Sequence, residues 1–185
     1  MMPEISLNIL DVAENSTRAS ATRVGITVAA DTAADTLTVR IEDNGSGMTA
    51  EQVEQVTDPF YTTRETRRVG LGVPFFKLAA ELSGGHFSIV SAPGEGTTVT
   101  AVFGLGSVDR MPLGDMTATM HTLITMHEDT DFHYRYQYDA DSFELDTADI
   151  REILGGISFQ EPEVSQYIRE YLAENEKEVT RGRSI

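Results

Sequence analysis

From Ile5 to Ala19 the apolar or small residues Ile5, Ile9, Val12, Ser16 and Ala19 recur at spacings of three and four, which predicts an amphipathic helix. Asn8, Asp11, Asn15 and Arg18 share that spacing and form a second, polar stripe, with Glu14 at its edge. Strict alternation follows. Val24, Ile26 and Val28 predict a strand over Arg23 to Ala30, and Leu37, Val39 and Ile41 one over Thr36 to Glu42, with Asp31 to Asp35 as the turn. The second strand runs into Asp43-Asn44-Gly45-Ser46-Gly47-Met48, after which Thr49 and Gln52 form a capping box for a short helix. Asp58 to Val69 has no apolar period. Gly70-Leu71-Gly72 then opens a helix over Val73 to Leu82, stopped by Gly84-Gly85. A hairpin is expected next, with strands His86 to Ser91 and Thr97 to Phe103 joined through Ala92-Pro93-Gly94-Glu95-Gly96.

The pattern changes past Gly104-Leu105-Gly106, and Pro112 and Gly114 place a boundary near residue 107. Met116, Ala118, Met120, Thr122, Ile124 and Met126 alternate with more polar neighbours, as do Phe132, Tyr134, Tyr136 and Tyr138, so two strands are expected. A third is expected over Ser142 to Asp146, and helices over Ala148 to Leu154 and Pro162 to Glu178. The tyrosine stripe reads as a packed strand face, and His86, His121, His127 and His133 as structural residues. The fold class is α+β, with a first unit over 1–106 and a C-terminal α+β extension over 107–185 to which no motif assigns a role.

Composition narrows the function. A chain of 185 residues can bury roughly two-thirds or more of its unfolded surface, enough for a substantial core. With no cysteine, thiol nucleophiles and zinc-thiolate sites are excluded. No run of about 18 apolar residues suggests a membrane span, and the N-terminus lacks a signal-peptide pattern, so a cytoplasmic protein with no membrane partner is expected. A net charge of −16 argues against nucleic acid as a partner. Arg64, Arg67, Arg68 and Lys77 nevertheless fall in one stretch, which points to a smaller anion.

Taken singly, the glycine motifs have ordinary explanations: Asp43-Asn44-Gly45 as a turn, Gly70-Leu71-Gly72 as a helix start, Gly94-Glu95-Gly96 as a hairpin. Their order is more specific. A polar-striped helix with Asn15, then Asp43-Asn44-Gly45-Ser46-Gly47, then Gly70-Leu71-Gly72, then Gly94-Glu95-Gly96-Thr97-Thr98 resembles the superfamily of DNA gyrase, heat-shock chaperones, histidine kinases and MutL ATPases, over about residues 5–105. Pro59-Phe60-Tyr61-Thr62-Thr63 is similar to the histidine-kinase segment just before the ATP lid. The resemblance implies a two-layer sandwich with helices on one face of a mixed sheet, and ATP with Mg²⁺ as ligands.

Each position then has a chemical reason. Asp43 can accept a hydrogen bond from the exocyclic amine of adenine, and a buried acceptor left unpaired would reject guanine. Gly45 and Gly47 let backbone approach the purine, Met48 lines the nucleotide, and Thr97 offers a hydroxyl directly or through water. Asn15 supplies a hard amide oxygen for Mg²⁺. Gly70, Leu71 and Gly72 present helix N-terminal N–H groups to phosphate, and Arg64, Arg67 and Arg68 lie in the lid the resemblance implies. Glu14, just before Asn15, is the candidate general base.

One departure concerns the third motif, where Arg68 replaces the first glycine of the usual histidine-kinase run. Another is that about four residues precede the first helix, so autophosphorylation through a histidine hairpin is not expected. The expected function is an ATP-binding regulatory protein that hydrolyses ATP or transfers phosphate to a separate protein. The alternative is a non-catalytic module, switched by ATP and read by a partner protein.

Overall fold

A computed structural model describes residues 3–60 and 71–185. Its elements run α1 (Ile5–Arg18), β1 (Arg23–Asp31), β2 (Thr36–Asp43), α2 (Ala50–Thr57), α3 (Gly72–Leu82), β3 (His86–Ala92) and β4 (Gly96–Gly104). The remainder is α4 (Met116–Met126), β5 (Asp131–Tyr138), β6 (Asp141–Asp146), α5 (Thr147–Leu154) and α6 (Pro162–Thr180). The strands form one six-stranded sheet in the order β3-β4-β2-β1-β5-β6. Among the described residues only β1 and β5 pair in parallel, so the sheet is mixed and the fold is α+β.

Alternation along the strands decides which face is covered. Val24, Ile26 and Val28 of β1, Leu37, Val39 and Ile41 of β2, Val99, Ala101 and Phe103 of β4, and Phe132, Tyr134 and Tyr136 of β5 are all buried. The register aligns them on one face, with Ile26 opposite Ile41 and Tyr134, and Ile41 opposite Val99. Their core is shared with Ile5, Ile9, Val12, Phe76, Met120, Ile168 and Leu172 from α1, α3, α4 and α6. The opposite face carries ion pairs such as Arg40 to Glu42 at 2.8 Å and Arg135 to Glu144 at 2.9 Å, which suits a wet surface.

Residues 107–185 meet the first unit along this same sheet. Besides the β1–β5 ladder, the carbonyls of Pro112 and Leu113 accept from the N–H groups of Ile5 and Ser6, satisfying donors that the first turn of α1 would leave open. At the other end Thr130 Oγ1 donates to the Ala21 carbonyl, and Asp131 N–H to that of Thr22.

One expected element is of the other kind. The stretch Met116 to Met126, expected as a strand, is the helix α4. Its buried residues, Met116, Thr119, Met120, Leu123 and Ile124, follow helical spacing, and Asp115 caps it by accepting from Ala118 N–H at 2.8 Å. Two-residue alternation and four-residue recurrence overlap at Met116, Met120 and Ile124. With four threonines in the segment, propensity does not decide for the helix; the Asp115 cap and burial at helical spacing do.

Candidate functional site

Asp43 ends β2, directly opposite Thr97 of β4. Two donors fix its carboxylate: Ser16 Oγ, from the buried face of α1, reaches Oδ2 at 2.6 Å, and Gly45 N–H reaches Oδ1 at 2.9 Å. Each oxygen keeps a lone pair, so a half-buried, oriented acceptor remains. Asn44 turns elsewhere. Its Oδ1 accepts from the N–H groups of Thr22 and Arg23, both at 2.9 Å, which pins the entry to β1.

The loops around Asp43 pack backbone against backbone. A Cβ on Gly47, whose φ is +68°, would lie 1.9 Å from the Ala92 carbonyl oxygen, and one on Gly96, with φ +83°, 2.0 Å from that of Asp43. Neighbouring chain thus demands glycine at both positions before any ligand is considered. Ser91 joins the loops: its Oγ accepts from Met48 N–H at 2.8 Å, donates to the Gly96 carbonyl at 2.9 Å and lies 2.8 Å from Thr97 Oγ1. With the Ser91 proton spent on Gly96, Thr97 is the donor in that pair, and its hydroxyl keeps its acceptor lone pairs.

The polar stripe of α1 faces α3. Asn8, expected on a polar face, is fully buried, and among the described residues both its side-chain polar atoms are unpartnered. One turn on, buried Asp11 Oδ2 has no partner among the described residues and lies against the first residue of α3, where a Cβ on Gly72 would fall 1.7 Å from it. Asn15 follows on the same stripe, its Oδ1 accepting from Arg18 Nη1 at 3.0 Å. Glu14 lies about 100° around the helix from Asn15 and pairs with His127, the C-cap residue of α4, at 2.8 Å between Oε1 and Nε2.

At α3, Leu71 occupies the N-cap without a side-chain bond and Pro74 has no N–H to give, so the first turn presents the N–H groups of Gly72 and Val73. The positive end of the helix therefore meets the carboxylate of Asp11.

Residues 3–107 match the family described as histidine kinase-, DNA gyrase B- and HSP90-like ATPases. The chain belongs to this family. It is similar to a putative sensor protein of Shewanella frigidimarina, 30% identical over 103 residues, covering 55% of this chain and 16% of that protein. It is also similar to the cell-division control histidine kinase PdhS of Brucella anthropi, 35% identical over 78 residues, 35% of this chain and 7% of the relative. An uncharacterized sensor-like histidine kinase of Rhizobium meliloti is 37% identical over 79 residues, 40% of this chain and 15% of that one. The chain thus spans under a fifth of the length of each.

Membership gives residues 3–107 the character of an ATP-binding, histidine-kinase-like domain. Of the ATPase residues expected from sequence, Asp43, Gly45, Gly47, Met48 and Thr97 converge at one end of β2 and β4, with Asn15 tied to them through its neighbour Ser16. Leu71 and Gly72 begin α3 as expected. Arg64, Arg67, Arg68 and Gly70 lie outside the described residues. Ser16, Ser91 and Asp11 escaped the motif reading. Ser16 was counted as a small core residue and Asp11 as part of a polar stripe, and the one available clue was that Asp11 precedes Asn15 by a full helical turn. Among the described residues no helix is long and apolar enough to cross a membrane.

Proposed function

We propose that the chain binds ATP with Mg²⁺ and either hydrolyses it or transfers its terminal phosphoryl group to a separate protein. The observation that carries this reading is the carboxylate of Asp43, oriented by Ser16 and Gly45 N–H and held beside Thr97. Such an acceptor pairs with the amine of adenine, and guanine would leave it facing a carbonyl oxygen.

A hard cation fits the donors on α1. The Asp11 Oδ2 and Asn15 Oδ1 atoms, one turn apart, are an anionic and a neutral oxygen of the kind Mg²⁺ takes as ligands, and Asp11 Oδ2 has no other partner among the described residues. Mg²⁺ would supply charge neutralisation for the phosphates. The chain itself supplies orientation: the N–H groups at the start of α3 stabilise negative oxygens, and a carboxylate takes the proton of the attacking water or hydroxyl. Glu14 is our candidate for that carboxylate, and the position of Asp11 beside Gly72 makes it the competitor.

A non-catalytic switch is the second reading, favoured by the engagement of Glu14 with His127. One experiment separates these readings. Nucleotide titration and phosphate release are measured for the unaltered chain and for Asp43→Asn, Glu14→Ala and Asp11→Asn. Loss of ATP binding in Asp43→Asn, with binding retained but turnover lost in Glu14→Ala, is the expected result. Turnover lost only in Asp11→Asn, with Mg²⁺-dependent ATP binding unchanged, transfers the base to Asp11. Retained ATP affinity in Asp43→Asn removes the pocket assignment, and a chain that binds ATP without releasing phosphate or labelling protein is the switch.

A further inference from the structure

The C-terminal segment carries an exposed apolar ridge on the same end of the sheet as Asp43. Met126 ends α4 at 67% exposed, Ile153 lies in the last turn of α5 at 84%, and Ile157 follows at 54%. Hydrogen bonds bring the three segments that carry these side chains together. Ile157 N–H bonds the Leu154 carbonyl, within one turn of Ile153, while Gln160 Nε2 donates to the Thr125 carbonyl, beside Met126. Between them Ser158 Oγ and Phe159 N–H both donate to Glu128 Oε1, clamping the 157–160 strap across the end of α4. Phe159 beneath is buried and capped by the Arg151 guanidinium at 4.8 Å, so the strap is anchored while its isoleucine faces water.

Acidic side chains predominate around the ridge. Asp129, Asp149, Glu152, Glu161 and Glu163 are exposed, while the neighbouring Arg151, itself 40% exposed, is paired with Asp131 and lies over the Phe159 ring. Leaving Ile153 in water forfeits roughly 1.5–3 kcal/mol of burial, and the half-exposed Ile157 forfeits part of that amount. An apolar strip rimmed by acids is complementary to an amphipathic segment whose apolar face is flanked by Lys and Arg. The ridge also lies near the nucleotide end: Asp131 N–H bonds the Thr22 carbonyl, Thr22 is bound in turn by Asn44, and Asp146 pairs with Arg23 at 2.6 Å.

We propose that Met126, Ile153 and Ile157 form the docking ridge for a partner protein, through a basic amphipathic helix of that partner. The ridge lies outside the matched ATPase residues, and its occupancy does not depend on the nucleotide reading.

The test uses the full chain without nucleotide and a fluorescein-labelled helical peptide of leucine and lysine, with a leucine and glutamate peptide as control. Saturable one-to-one binding of the basic peptide is expected. It should weaken about tenfold or more in Ile153→Ser/Ile157→Ser and stay unchanged in Val108→Ser, a still more exposed apolar site off the ridge. Circular dichroism of the double variant checks that the fold is intact, and Glu152→Gln/Glu163→Gln, which keeps the apolar ridge, should weaken binding and flatten its salt dependence. Absence of saturable binding, or equal affinity in all variants, overturns the proposal. So does self-association of the chain that the double serine variant abolishes, which would assign the ridge to a second copy.

Discussion

Ser16 Oγ lies 2.6 Å from Asp43 Oδ2, and this hydrogen bond joins the helix that carries Asn15 to the strand end that carries the proposed adenine acceptor. A hydrogen bond to an ionised group contributes about 1.5–3 kcal/mol, and here it also selects the carboxylate rotamer. Ser16→Ala is therefore expected to weaken ATP binding by roughly 10- to 100-fold and to narrow the preference for ATP over GTP. Titration of the folded variant with both nucleotides measures it. Unchanged discrimination would mean that Ser16 only packs α1 against β2.

The two glycines of the β3–β4 turn separate backbone strain from steric contact. Gly94 and Gly96 both have positive φ, at +76° and +83°, yet a Cβ on Gly94 meets nothing within 4 Å, whereas one on Gly96 meets the Asp43 carbonyl oxygen at 2.0 Å. Gly94→Ala should cost about 1–2 kcal/mol in urea unfolding, the price of a left-handed alanine, and leave ATP affinity unchanged. Gly96→Ala should cost about 3 kcal/mol or more and reduce ATP affinity as well, because the backbone it displaces belongs to Asp43. Equal losses in the two variants would contradict the contact.

How far the sequence carried these relationships depends on their range. The polar stripe, the Asp-x-Gly-x-Gly loop and the two Gly-x-Gly segments are local patterns; Asp43 and Thr97 face each other across β2 and β4, and Gly72 begins α3 against Asp11. Ser16 to Asp43 spans 27 residues and His127 to Glu14 spans 113, and no periodicity encodes such pairings. The burial of Asn8 was hidden for a related reason: a helical stripe shows which residues share a face, while what packs on that face, here α3, is decided by tertiary structure. Alternation also misled at Met116 to Met126, where period two and period four coincide. The tyrosine stripe of β5, built from aromatic residues that favour strands, is the packed strand face that its pattern suggests, with Tyr134 and Tyr136 buried.

Against that buried face lies the most perturbed carboxyl group among the described residues. Glu176 of α6 accepts from Tyr134 of β5 at Oε1 and from Thr117 of α4 at Oε2, both at 3.0 Å, so three elements meet on one acid. Burial pushes its pKa from 4.5 up to about 7, against the lowering effect of those two donors, and nearby Asp115 raises it further. The folded state therefore holds a proton that the unfolded chain releases above about pH 4.5. Stability from this group is fully present below that pH and is lost as pH rises to about 7, by an amount on the order of 3 kcal/mol. Glu176→Gln keeps an acceptor for Tyr134 and has nothing to ionise. Urea unfolding at pH 5 and pH 8 should show the variant more stable than the unaltered chain at pH 8, with the advantage shrinking toward pH 5. A constant difference across that range would mean that Glu176 stays ionised and that α6 is held by packing of Ile168 and Leu172 alone.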